Sequence, residues 1–134
     1  MKQDAADTIV LRAAVESVKE ARDAVAKMSD TWGIPGEIPC LVVSELATNA
    51  IVHGASGPTD HIVVRAYEMD NGKRVIEVWD RGETWPEPGQ VPEDDTESGR
   101  GLLLVDALTD GWGVRPLNEG GKVVFAKLSH ATDV

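Results

Sequence analysis

The chain has 134 residues and carries 13 Lys+Arg against 23 Asp+Glu, a formal charge of −10, which is the size of one domain. Acidity of this degree, without a basic cluster, opposes contact with nucleic-acid phosphates or anionic lipid, so direct binding to DNA or to a membrane is not expected. No apolar run exceeds four residues and the opening MKQDAADT lacks a cationic-then-apolar order, so neither a membrane span nor a secretory signal is predicted, and the expected location is the cytoplasm. Cys40 is the one cysteine, which excludes an internal disulfide and a multi-cysteine zinc site and suits a reducing compartment.

In chain order, Thr8–Arg12 predicts a short strand. Ala14, Val18, Ala21, Val25 and Met28 then recur at spacings of four, three, four and three, one face of an amphipathic helix that ends near Asp30, ahead of Gly33, Pro35 and Gly36. A second helix is expected from about residues 37–39 to His53, where Gly54, Gly57 and Pro58 stop it. From Ile38 to His53 its only formally charged side chain is Glu45, and apolar residues surround the axis nearly all round, so the helix is predicted to be buried. Asn49 and His53 follow Glu45 at i+4 and i+8. A polar stripe on such a helix points to a cleft holding water, a metal or a ligand; the competing reading is a solvent-facing edge, preferred for His53 alone.

Two strands follow, His61–Met69 and Lys73–Asp80, joined at Asp70-Asn71-Gly72, whose Asn-Gly pair signals a hairpin. Period-two alternation places Asp80 on the face of Ile76 and Val78. A carboxylate at the rim of an apolar layer can accept a hydrogen bond from a ligand, and Gly82 leaves room for a flat ring. Arg81–Glu97 mixes prolines and glycines with six acidic side chains and has little to bury, so it is predicted to be a mobile loop. Ser98 then caps a helix with Gly99-Arg100-Gly101-Leu102 in its first turn and Leu102–Leu108 as its body. Its free backbone N–H groups and dipole make an anion site. Strands Gly111–Pro116 and Lys122–Ser129 close the chain around the Asn118–Gly121 turn. This order predicts an α/β (α+β) protein with a mixed, mostly antiparallel sheet covered on one face by three helices.

Taken together, SELATNAIVHG at Ser44–Gly54, VWDRG at Val78–Gly82 and SGRGLLLVDALTDGWGV at Ser98–Val114 resemble the GHKL, or Bergerat-fold, ATP-binding superfamily. Length and the third segment are similar to its RsbW/SpoIIAB-like anti-sigma serine/threonine kinases. The resemblance covers essentially the whole chain. It implies one domain over residues 1–134, a two-layer α/β sandwich with ATP between helices and sheet, and a flexible lid at about 81–98. Carried over by residue, it implies Glu45 as general base, Asn49 as the ligand of a phosphate-bridging Mg²⁺, and Asp80 as acceptor from the adenine amino group. Gly82 matches the glycine beside the ring. Gly99, Gly101 and the turn they form with Arg100 and Leu102 match the segment whose N–H groups receive phosphate oxygens. Two positions depart from the pattern: Thr84 stands where a second glycine is usual, and Val123 where relatives often have a threonine near the adenine.

The implied function is an ATP-dependent kinase that phosphorylates an anti-sigma antagonist of the STAS type and sequesters a sigma factor, with a homodimer among the assemblies it allows. The alternative is a non-catalytic module that binds nucleotide, or only a protein partner, and acts by occlusion. A histidine-kinase role is disfavoured because no phosphoacceptor histidine on a dimerising helix precedes the domain.

Overall fold

The computed structural model describes residues 7–54, 59–82 and 103–128. Strand β1 (Asp7–Arg12) leads into helices α1 (Ser17–Trp32) and α2 (Glu37–Asn49), and α2 continues into a π-helical turn at Ala50–Gly54. Strands β2 (His61–Glu68) and β3 (Arg74–Asp80) follow. A helical stretch at 103–108, here α3, precedes β4 (Thr109–Pro116) and β5 (Lys122–Leu128).

Gly33 ends α1 because it takes φ +75°, and its N–H reaches the carbonyls of Asp30 and Ser29, a left-handed stop that residues with a Cβ adopt at a cost. The periodicity of α1 reads through: Ala21, Val25 and Met28 are buried. Ala14 lies before the helix proper, which starts at Ser17.

The strands form one sheet in the order β1-β2-β3-β5-β4, and each neighbouring pair is antiparallel. The expected mixed character is therefore absent among the described strands, for a topological reason. Two helices between β1 and β2 carry the chain out and back, which returns β2 antiparallel beside β1. One helical crossing separates β3 from β4, so these two run the same way, but β5 lies between them and pairs with both. Strand β4 begins at Thr109, two residues before the expected Gly111, with a register shift between Thr109 and Gly111.

One face of the sheet supplies Leu11, Ile62, Val64, Ile76, Val78, Val124, Ala126 and Leu128 to a core completed by Ala21 and Val25 of α1, Val42, Val43, Leu46 and Ala47 of α2, and Val105 of α3. Burial of this apolar area is the main force holding helices to sheet. Helix α2 is less enclosed than its composition suggests. Ile38 and Leu41, and Val52 of the turn that follows, are 45%, 38% and 53% exposed; the helix lies on the sheet with one side and beside α1 with another, and its outer side meets no further layer among the described residues.

The opposite sheet face carries a polar cluster centred on Glu77, only 1% exposed. Its carboxylate accepts hydrogen bonds from Tyr67 Oη at 2.7 Å, Trp79 Nε1 at 2.9 Å and Arg115 at 3.4 Å, and the Arg65 guanidinium lies 4.5 Å from the centre of the Tyr67 ring. Burial, then the hydrogen bond to Glu77, push the Tyr67 phenol up to about 12. Because the folded value is raised, this contribution to stability is complete below the unfolded phenol value of about 10 and is lost as pH rises through about 12. Tyr67 is the sole tyrosine, so ultraviolet titration reads it directly. The expected midpoint is near 12 in the native protein, moving toward the unfolded value in Glu77→Gln; an unshifted native midpoint contradicts the cluster.

Candidate functional site

Asp80 ends the core-facing row of β3 at the point where α2 gives way to its π-helical turn. Its side chain is 1% exposed. Oδ1 accepts the Gly82 N–H at 2.7 Å and the Lys122 ammonium at 2.8 Å; Lys122 is itself 3% exposed. Oδ2 is buried and has no hydrogen-bond partner among the described residues. A buried, unsatisfied carboxylate oxygen is costly, about 1–3 kcal/mol or more for a charged group, so this one calls for a donor from solvent, an ion or a ligand.

Three glycines make this placement possible. A Cβ at Gly54 would lie 2.4–2.6 Å from the Asp80 carboxylate, and one at Gly82 would lie 2.4 Å from the Gly54 carbonyl oxygen. Gly121 has φ +89°, and a Cβ there would come 2.5 Å from the Asp80 carbonyl oxygen. Backbone at Gly54 and Gly82 thus closes on the carboxylate, while Gly121 packs against the Asp80 main chain. Gly82→Ala, whose methyl meets backbone and not a movable side chain, is expected to lower stability by about 1–3 kcal/mol, measured by denaturant midpoint at unchanged slope. A neutral Gly82→Ala would show that the close approach is not required.

Glu45 and Asn49 lie one turn apart on α2, both half-buried, as the i, i+4 spacing requires. His53 lies in the π-helical turn from Ala50 to Gly54 and is exposed, in keeping with the solvent-facing reading preferred for it. The same turn directs Gly54 onto Asp80, an effect no periodicity argument anticipates. The carboxylate–amide pair of α2 and the Asp80 cradle therefore belong to the same helix–sheet layer, brought together by α2 and its terminal turn packing on β3.

Gly99, Arg100, Gly101 and Leu102, together with Thr84, the Ser98 cap and the expected lid beyond Gly82, lie outside the described residues. Val123, read as the departure nearest the adenine, is not the residue that faces Asp80. The register pairs Val123 with Trp79 and Asp80 with Lys122, so Val123 belongs to the other face and Lys122 occupies the position in question. Lys122, Gly54 and Gly121 are the site residues that the sequence reading passed over. A signal for the first existed: Lys122 alternates with Val124, Ala126 and Leu128, so period two puts a lysine on the core face.

Cys40 is half-buried, and its Sγ–H points to the Arg22 carbonyl oxygen at 3.5 Å; burial raises the thiol above its ordinary value, which argues against a nucleophilic role. Among the described residues no group of three or more His, Cys, Asp or Glu is disposed to hold a metal ion, and no helix is long and apolar enough to cross a membrane. A cavity of about 770 Å³ lined by His61, Val63, Trp79, Asp80, Arg81 and Leu117 opens at the same end of the sheet. His61, Val63 and Trp79 alternate with the core row, so this cavity lies mainly on the Glu77 side, and it reaches Asp80 at the end of β3.

This arrangement can be set beside known proteins. No curated protein sequence is significantly similar to the chain. Among solved structures, the RsbU and RsbW domains of Rv1364c from Mycobacterium tuberculosis superpose with a TM-score of 0.68 at 20% identity, over 92% of this chain and 32% of that one. The histidine kinase domain of the blue-light activated kinase from Erythrobacter litoralis EL346 gives a TM-score of 0.50 at 20% identity, covering 81% of this chain and 60% of that one. This chain thus spans about a third of the length of the first, and the likeness is one of fold. Residues 11–127 match the family described as the histidine kinase-like ATPase domain. With nearly all of its described core inside that match, the chain belongs to the histidine kinase-like ATPase domain family, and its five-stranded antiparallel sheet under helices is the GHKL ATP-binding fold.

Proposed function

We propose that this protein is an ATP-dependent serine/threonine kinase of the anti-sigma type, acting in the cytoplasm on a small antagonist protein and sequestering a sigma factor when that antagonist is absent. The observation that carries the nucleotide part is the orphaned Asp80 Oδ2, a buried acceptor in a glycine-lined cradle, which suits the exocyclic amino group of adenine. Gly54 and Gly82 bring backbone, and no side chain, against the carboxylate.

Glu45 and Asn49 supply the remaining chemistry from α2. Asn49 would hold a Mg²⁺ through its amide oxygen, and the ion would offset phosphate charge. Glu45 accepts the proton of the incoming serine or threonine hydroxyl, whose oxygen then bonds to the γ-phosphorus as ADP leaves. The glycines at 99 and 101, read from the sequence, suit the phosphates. The likeness in fold to a structure containing an RsbW domain supports a regulatory protein as the partner.

Titration calorimetry with Mg-ATP and Mg-ADP, followed by radiolabel transfer to candidate antagonists, tests this reading. Binding with transfer supports it. Binding without transfer to any candidate favours an occluding regulatory module, and no binding at millimolar nucleotide overturns the ATP assignment.

A further inference from the structure

We infer that Lys122 is a second base-reading residue, which donates to ring nitrogen N1 of adenine while Asp80 Oδ2 accepts from the amino group beside it. The inference rests on the adenine reading of Asp80 and adds to it a residue that the sequence pattern did not single out.

Lys122 is placed for this by the register of the sheet. It faces Asp80 directly across the β3–β5 ladder and is 3% exposed, with its Nζ 2.8 Å from Asp80 Oδ1. An ammonium carries three N–H donors, and Asp80 Oδ1 is its hydrogen-bond acceptor among the described residues. Spare donor capacity on Lys122 therefore lies next to the spare acceptor Oδ2. A structural ion pair alone has no need of this arrangement, since a carboxylate turned to give both oxygens to donors would satisfy more groups. Adjacent donor and acceptor match one chemical pattern, an amidine-like edge in which a ring nitrogen accepts and the neighbouring amino group donates. Adenine presents that pattern at N1 and N6. A 6-oxo purine such as hypoxanthine reverses it, setting its oxygen against the carboxylate and its N1–H against the ammonium, so both contacts fail together. Lys122 thereby makes selection for the 6-amino purine depend on two adjacent atoms.

The experiment compares the affinity of the wild-type chain for ADP, for 1-deaza-ADP, in which C–H replaces N1 while the amino group remains, and for inosine diphosphate. Loss of one hydrogen bond to a charged donor predicts roughly ten- to hundredfold weaker binding of 1-deaza-ADP, with inosine diphosphate weaker again. In Lys122→Met the ratio between ADP and 1-deaza-ADP should fall to near one. Should Lys122→Met not fold, Lys122→Gln retains a donor and the wild-type comparison needs no variant. Equal wild-type affinity for ADP and 1-deaza-ADP overturns the role of Lys122 and leaves the adenine site standing. Absence of ADP binding overturns both, and the two failures are thus distinguished.

Discussion

Asp80→Asn is expected to weaken the protein twice, once in its fold and once toward nucleotide. The amide keeps the shape of the side chain but removes the charge that faces Lys122 at 2.8 Å, both groups being almost wholly buried. Leaving one member of a buried ion pair uncompensated typically costs about 3–5 kcal/mol, which exceeds the roughly 1.5–3 kcal/mol of a charge-assisted hydrogen bond to the base. Stability should therefore show the larger change, read as a fall in denaturant midpoint with unchanged slope. Nucleotide affinity should fall by roughly tenfold or more. The double variant Asp80→Asn/Lys122→Met separates the two effects: removing both charges should restore much of the stability without restoring binding. If the double variant binds ADP as well as the wild type, Asp80 does not contact the base. If Asp80→Asn is as stable as the wild type, the pair with Lys122 is not the buried ion pair described.

The elements were legible because their patterns are local. The i, i+3/i+4 apolar spacing of α1, the Asn71-Gly72 hairpin and the strands on either side of it each survive in the structure. Asp80 was legible too, since alternation alone carries it onto the face of Ile76 and Val78. What escaped depends on relations between distant segments. The order β1-β2-β3-β5-β4, which removes parallel neighbours, follows from where β5 inserts, and no window of sequence contains that. The π-helical turn at Ala50–Gly54 brings Gly54 against Asp80, although the residues there read as ordinary helix followed by a stop. Lys122 was hidden by a register: counted one residue along, the position opposite Asp80 is Val123, and one step in a strand exchanges the two faces. The outward side of α2 was misjudged because apolar composition does not say how many neighbours a helix will have.

Glu45→Gln separates transfer from binding. Glu45 lies on α2 one turn before Asn49 and is half-buried, on a different element from the β3–β5 ladder that holds Asp80. A base that meets only the incoming hydroxyl contributes to the transition state for transfer and little to the bound nucleotide. Glutamine preserves length and hydrogen-bonding capacity while removing the ability to take a proton at neutral pH. ATP affinity is therefore expected to stay within a few-fold of wild type, while phosphoryl transfer falls by about 10²–10⁴. At a half-buried helical position the stability change should be within about 1 kcal/mol, so a thermal melt run alongside excludes unfolding as the cause. Two results would contradict the assignment. Transfer at the wild-type rate means that another group takes the proton. A parallel loss of affinity and transfer means that Glu45 acts on the nucleotide itself, through Asn49 or the metal it is proposed to hold.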